Sequence, residues 1–197
     1  MMRRVAACCI GLAAMAVGGA RAAPDFLDRV MGAKDGAAPT VACFRRVYDA
    51  RHLAGHPQQN VRKMLLLLET GIDPQQPGAA LATLGVDFRK GAGFLSGGYC
   101  GVMKNEAGEP VAALNCGVDC DGGQIGVALR DEKSVRVTIP DGARLWRPGE
   151  DDQENADDGR KRFGADDKLF RLDRAAGAEC VGLTKDAKTK AMLRRLR

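Results

Sequence analysis

Residues 97–129 read GGYCGVMKNEAGEPVAALNCGVDCDGGQIGVAL and hold three of the seven cysteines of the 197-residue chain. Short apolar runs in this stretch are separated by two turn signals, Asn-Glu-Ala-Gly-Glu-Pro at 105–110 and Asp-Gly-Gly at 121–123. Apolar segments joined by short glycine-containing turns are typical of antiparallel hairpins. We therefore predict a three-stranded β-meander over these residues.

The first turn determines which residues of the two flanking strands face each other. If the turn is centred on Gly108, Cys100 lies opposite Cys116 and Val102 lies opposite Leu114. All four side chains then share one apolar face. Directly opposed Cβ atoms are about 4.5–5.5 Å apart and a disulfide needs about 3.5–4.5 Å, so a bridge can form where the strands approach closely.

A tighter turn would change this register. A two-residue turn on Ala107 and Gly108 places Cys100 opposite Asn115 and removes the bridge. We prefer the first register because it keeps the apolar residues together, and a slip of one residue would exchange the two faces of the strand. The loop closed by a Cys100–Cys116 bridge is short, so its stabilisation is on the order of 3 kcal/mol.

The N-terminus has the pattern of a secretory signal peptide. Met-Met-Arg-Arg precedes an apolar run over residues 5–20, and Ala20-Arg21-Ala22 forms a small-residue cleavage site. The apolar run is shorter than the roughly 20 residues of a membrane-spanning helix. We expect residues 1–22 to be removed, a periplasmic or secreted location, and no transmembrane segment after cleavage.

Cleavage changes the charge of the chain. It removes three of the 30 Lys and Arg and none of the 25 Asp and Glu, which leaves a net charge of +2. Residues 185–197 form a basic tail with six basic residues and one acid, so residues 23–184 carry −3. Because the basicity is concentrated at one end, we expect no nucleic-acid partner. The tail could make weak contact with an anionic surface.

The mature chain keeps five cysteines, and in an oxidising compartment these are expected to pair with each other before they bind metal. We predict a disulfide between Cys100 and Cys116, and a second between Cys43 and Cys180 that joins the first and last strands. Cys120 would then remain unpaired.

Alternating apolar residues indicate a mainly β fold. Ala82, Leu84, Val86 and Phe88 occupy alternate positions of one strand, and similar patterns recur along the chain with turn signals between them. We predict about 7–8 short strands in a single small antiparallel β-barrel or sandwich. Its parts are a short helix and linker at 23–40, a disulfide-stabilised β domain at 41–184 with a mobile charged loop at 150–162, and the basic C-terminal tail at 185–197.

The two histidines of the chain suggest a metal site. His52 and His56 are four residues apart, and Asp49 precedes them. Imidazole and carboxylate are suitable zinc ligands, so Asp49, His52 and His56 are candidate metal ligands. The alternative is structural, with His52 at a helix C-terminus, where a positive charge is favourable.

Complete catalytic motifs are absent from the sequence. Neither serine of the mature chain, Ser96 or Ser134, lies in a nucleophile elbow, and no phosphate-binding glycine loop or dinucleotide fingerprint appears. We expect no cofactor. The sequence therefore favours an exported, non-catalytic binding or structural protein of the cell envelope with an unknown partner. The alternative is a metal- or thiol-dependent enzyme that uses Asp49, His52 and His56.

Overall fold

The computed structural model describes residues 22–32, 40–71, 79–118, 121–149 and 159–197. Eight antiparallel strands close into one barrel, with each strand next to its neighbours in sequence and β1 paired with β8. The strands are β1 (Thr40–Val47), β2 (Val61–Thr70), β3 (Ala80–Phe88), β4 (Phe94–Lys104), β5 (Pro110–Gly117), β6 (Gln124–Asp131), β7 (Ser134–Thr138) and β8 (Leu169–Arg174). The mainly β prediction is confirmed, and of the two predicted architectures the structure is the barrel.

In the part of the chain that the structure describes, three short α-helices and two 3-10 helices accompany the barrel. They are α1 (Ala22–Met31), α2 (Ala50–Gly55), α3 (Ala187–Arg195), η1 (Gly159–Arg162) and η2 (Gly177–Leu183). Among the described helices, none has the length and apolar character needed to cross a membrane. The predicted signal peptide, except for its last residue, and residues 150–158 of the predicted mobile loop lie outside the described residues. The remainder of that loop, residues 159–162, forms η1.

Side chains from the inward face of every strand fill the barrel. The longest pairing, between β2 and β3, sets Met64 against Val86 and Leu66 against Leu84, and all four side chains are buried. An eight-stranded barrel is just wide enough for side chains to occupy its interior. The interior of the described barrel is therefore packed as a hydrophobic core.

The β4–β5 hairpin has the preferred register. Cys100 pairs with Cys116 and Val102 with Leu114, and the two cysteines form a disulfide with their Cα atoms 3.9 Å apart. A bulge follows between Val102 and Lys104. The opposite face of β4 is outside the barrel, where Tyr99 is about half exposed.

Helix α1 covers one end of the barrel. Phe26, Val30 and Met31 are buried and pack with the interior residues. Arg174, at the end of β8, donates a hydrogen bond to the carbonyl of Val30 at 2.7 Å. Its guanidinium lies 4.9 Å from the centre of the Phe44 ring. The interior cluster is thus closed at this end by an apolar helix face that an arginine anchors to the last strand.

A second apolar cluster lies on the outside of the barrel wall. Leu65 and Leu67 of β2 point outward and are covered by η2 and α3, which contribute Leu183 and Leu193. Gly85 of β3 lies beneath this layer, and a Cβ there would lie 2.6 Å from Leu183 Cδ2, so the leucine side chain would have to shift. This cluster holds the C-terminal segment against the barrel.

The disulfide between Cys43 and Cys180 lies in this second cluster. Both cysteines are fully buried, and 137 residues separate them in the sequence. The bridge joins β1 to η2 and so fastens the C-terminal segment covalently to the first strand. Both disulfides expected from the sequence are therefore present in the structure. Cys120 lies outside the described residues.

The basic tail is folded onto the barrel. Asp186 caps α3 by accepting a hydrogen bond from the backbone N–H of Thr189, and Leu193 is fully buried. The structure therefore buries one side of this helix, which includes Thr189 and Leu193. Its cationic residues Arg194 and Arg195 remain exposed.

Glu69 is a buried acid between the barrel and α3. Its side chain is 4% exposed in the folded chain, and Oε1 accepts a hydrogen bond from the Thr189 hydroxyl at 2.7 Å. Burial raises the pKa of Glu69, and the hydrogen bond from Thr189 opposes this effect only in part. The folded state therefore binds a proton more tightly at Glu69 than the unfolded state does.

Because the folded pKa is the higher one, Glu69 makes folding less favourable as the pH rises from its usual value through its raised value. Glu69→Gln keeps the acceptor oxygen and removes the charge, so we expect the variant to gain stability relative to wild type as the pH rises above the usual pKa of glutamate, about 4.3. Each unit by which the pKa is raised contributes about 1.4 kcal/mol to this difference. Urea unfolding at several pH values measures it, and a difference independent of pH would contradict the expectation.

Candidate functional site

The end of the barrel opposite α1, which we call the mouth, contains a cluster of aromatic rings. Phe88 ends β3 and Phe94 begins β4, and their ring centres are 5.7 Å apart in an edge-to-face arrangement. Phe163 packs edge-to-face against Phe88 at 5.2 Å. These rings close the interior at the mouth and form an apolar base for the groups around it.

Asp167 ties the segment around η1 to the start of β2. Its Oδ2 accepts hydrogen bonds from the backbone N–H groups of Asn60 at 2.7 Å, Gly164 at 2.8 Å and Val61 at 3.1 Å. The approach is close, since a Cβ on Gly164 would lie 1.7 Å from the carbonyl oxygen of Gln58. The position of η1 relative to the barrel is therefore fixed by a buried carboxylate.

Burial raises the pKa of Asp167, although the backbone hydrogen bonds from Gly164, Asn60 and Val61 act in the opposite direction. Its side chain has no exposure to solvent. With its oxygens engaged by backbone amides, Asp167 serves to position the mouth and is poorly placed to act on a ligand.

Arg89 holds α2 against the mouth in a similar way. Its Nε donates to the carbonyl of Gln59 at 2.6 Å, and one terminal nitrogen donates to the carbonyls of Leu53 at 2.6 Å and His56 at 2.8 Å. The last carbonyls of a helix carry partial negative charge, which favours a cation there. The guanidinium thus joins the end of α2 to the end of β3.

A basic pocket lies between these two anchored segments. It has a volume of about 310 Å³, which is at the lower end of the range of about 300–1,000 Å³ for small-molecule sites. The lining residues are Asn60, Phe88, Arg89, Lys90, Lys161 and Arg162. Four of these six are cationic and none is acidic, so an anion is the ligand class that the pocket favours.

The cations are held by the aromatic cluster as well as by the backbone. The guanidinium groups of Arg162 and Arg147 lie 4.6 and 4.7 Å from the centre of the Phe94 ring. Asn60 Nδ2 donates to the carbonyl of Arg162 at 2.9 Å. The pocket is therefore built on β2, β3 and η1, whose relative positions are set by Asp167 and Asn60.

The candidate metal ligands also lie at the mouth. Asp49 caps α2, since its Oδ1 accepts a hydrogen bond from the backbone N–H of His52 at 2.7 Å. The rings of His52 and His56 are stacked with their centres 4.2 Å apart, and Tyr48 stacks on His52 at 4.6 Å. The structure brings the two histidines together as a stack that braces the helix.

One ring nitrogen of each histidine has a protein partner. His52 Nε2 lies 3.0 Å from Gln59 Oε1, and His56 Nδ1 lies 2.9 Å from the carbonyl oxygen of His52. In the described ranges, no group of three or more His, Cys, Asp or Glu side chains is arranged to hold a metal ion. Asp49, His52 and His56 thus make contacts that hold α2 and its C-terminal end in place, and a metal site formed by them stays a prediction.

Sequence reasoning missed the basic pocket. Its cations come from two short segments, Arg89-Lys90 and Lys161-Arg162, that are distant in the chain and have no motif in common. The one available signal was the run of three basic residues, Arg160-Lys161-Arg162, that follows the acidic stretch at 150–158.

No protein-family model matches the chain, and neither a curated protein nor a solved structure matches it.

Proposed function

We propose that this protein is an exported, non-catalytic binding protein whose barrel mouth takes up a small organic anion. The observation that carries the proposal is the set of four cations that line one pocket, with no carboxylate among those of its lining residues that the structure describes. The apolar base formed by Phe88 and its aromatic neighbours suits a ligand that has an apolar part besides its charge.

Export to the periplasm or the medium is supported by two features of the chain. The N-terminal sequence has the three regions of a signal peptide, two disulfides join four cysteines, and disulfides persist mainly in oxidising compartments. Removal of residues 1–22 leaves residues 23–31 of α1 at the start of the mature chain, and this helix packs against the barrel interior.

The absence of catalysis is proposed from the roles of the polar groups at the mouth. Asp167 and Arg89 bond to backbone groups, and the histidines of α2 bond to protein acceptors. The alternative of a metal- or thiol-dependent enzyme at Asp49, His52 and His56 remains a prediction.

Anilinonaphthalene sulfonate (ANS), an aromatic anion with strong fluorescence in apolar surroundings, is a direct probe of the pocket. We expect the folded protein to bind ANS, and Lys90→Gln/Lys161→Gln to weaken the binding about tenfold, which corresponds to about 1.4 kcal/mol. Both lysines are exposed, so the variant should keep its fold. Fluorescence titration at constant salt gives the Kd.

The matched control is Lys133→Gln/Lys188→Gln, which removes the same charge at the β6–β7 turn and on α3, away from the mouth. We expect the control to bind ANS within twofold of wild type. Equal losses in the two double variants would show that net charge alone governs binding, and the pocket would then lose its assigned role. Urea unfolding midpoints verify that both variants remain folded.

A further inference from the structure

A second basic depression lies on the outer wall of the barrel, separate from the mouth pocket. It has a volume of about 520 Å³ and spans β6, β7 and β8. The lining residues are Leu129, Arg130, Arg136, Leu169, Phe170 and Arg171. We call the three arginines and Leu169 the arginine wall.

Strand pairing forces two of these arginines together. Arg136 of β7 pairs directly with Arg171 of β8, and both side chains are exposed. Arg130 lies at a bulge of β6, two residues after Ala128, which pairs with Arg136. Like charges directly opposed on neighbouring strands destabilise a sheet. An anion bound between the guanidinium groups would relieve that repulsion.

The nearby carboxylates only partly neutralise the wall. Arg171 is bonded to Asp173 Oδ1, with both its Nε and one terminal nitrogen at 2.9 Å. Arg130 lies 3.7 Å from Asp131, while Asp173 is shared with Arg46 at 3.6 Å. These pairs are about half exposed, and exposed ion pairs contribute only about 0–1 kcal/mol. An incoming anion can therefore compete for the same guanidinium groups.

An apolar group borders the arginines. Leu169 is 55% exposed, the largest exposure among the large apolar side chains of the described chain, and Leu129 beside the depression is partly buried. Arginine binds phosphate through paired, planar hydrogen bonds. A ligand that fills this wall would combine a phosphate group with an apolar part.

We propose that the arginine wall binds a phosphate group, carried in its natural setting by an amphiphile whose apolar part contacts Leu169. The pairing of β7 with β8 places Arg136 and Arg171 side by side, so an anion has to displace only the contact of Arg171 with Asp173. The proposal stands apart from the mouth pocket, and either can fail alone.

Co-sedimentation with phosphatidylcholine vesicles containing phosphatidic acid tests the proposal, with pure phosphatidylcholine vesicles as reference. We expect binding only to the phosphatidic acid vesicles, and about a tenfold loss of affinity for Arg136→Gln/Arg171→Gln. The matched control Arg194→Gln/Arg195→Gln removes the same charge from the basic tail and should bind as wild type does. Equal losses in both variants, or no binding by wild type in this and the next experiment, would overturn the proposal.

Two further measurements distinguish a phosphate carried by an amphiphile from a free phosphate compound. Calorimetric titration with pyrophosphate, without vesicles, reports a site for a free phosphate compound if Arg136→Gln/Arg171→Gln abolishes the heat. Leu169→Ser should weaken vesicle binding and leave pyrophosphate binding unchanged if the natural ligand is an amphiphile. If Leu169→Ser does not change vesicle binding, the natural ligand is not an amphiphile that contacts Leu169. The titration with pyrophosphate then decides whether the phosphate site exists.

Discussion

Replacing Cys43 and Cys180 together with alanine should lower the free energy of unfolding by about 5 kcal/mol. The bridge spans 137 residues, and a crosslink of that length removes more conformational freedom from the unfolded chain than a short one does. Both sulfurs are also buried in the apolar cluster between the barrel wall, η2 and α3, so the variant loses packing there as well. Urea unfolding followed by circular dichroism measures the loss.

The second disulfide provides the control. Cys100 and Cys116 are 16 residues apart, so their replacement by alanine should lower stability by about 3 kcal/mol. If the Cys43→Ala/Cys180→Ala protein is unfolded in buffer, trimethylamine oxide, which favours burial, brings its transition into range. A loss no larger than that of the Cys100→Ala/Cys116→Ala protein would contradict the expected order.

Asp167→Ala should be the most damaging single substitution at the mouth. The change removes the acceptor for the backbone N–H groups of Asn60, Val61 and Gly164. A buried donor without a partner costs about 1–3 kcal/mol, so we expect a loss of about 4 kcal/mol in total. The segment around η1 should detach from the start of β2, and ANS binding should fall with it.

The matched variant is Asp167→Asn, which keeps one acceptor oxygen in the same place. It should lose less than half as much stability as Asp167→Ala and retain ANS binding. Trp146, whose backbone is paired with Leu95 of β4, provides a fluorescence signal for the unfolding of both variants. Equal stability of the Ala and Asn variants would show that the hydrogen bonds to Asp167 do not hold the mouth together.

The parts of the fold that followed from the sequence are those with local patterns. The turn at Gly108 and the apolar positions around it place Cys100 opposite Cys116, and no long-range information is needed. The alternation of Leu84, Val86 and their neighbours likewise marks an inward face. Long-range pairing left no such pattern: Ala143 and Trp146, between β7 and β8, form isolated bridges to Gly123 and Leu95.

The mouth could not be predicted because its contacts are distant in the chain. Asp167 is 107 residues from Asn60, and its partners are backbone amides, which have no sequence signature. The spacing of His52 and His56 suggested a metal site, yet the same spacing on one turn of helix also produces the observed ring stack. Residue types alone do not separate these two arrangements.

Pairing of β1 with β8 completes the ring, and this has a consequence for biosynthesis. The final strand begins at Leu169, so a nascent chain that stops short of it has two unpaired strand edges, one on β1 and one on β7. Such edges pair with strands of other chains. Premature termination should therefore yield insoluble material instead of a smaller working barrel, and the molecule is protected from self-association only once β8 has been synthesised.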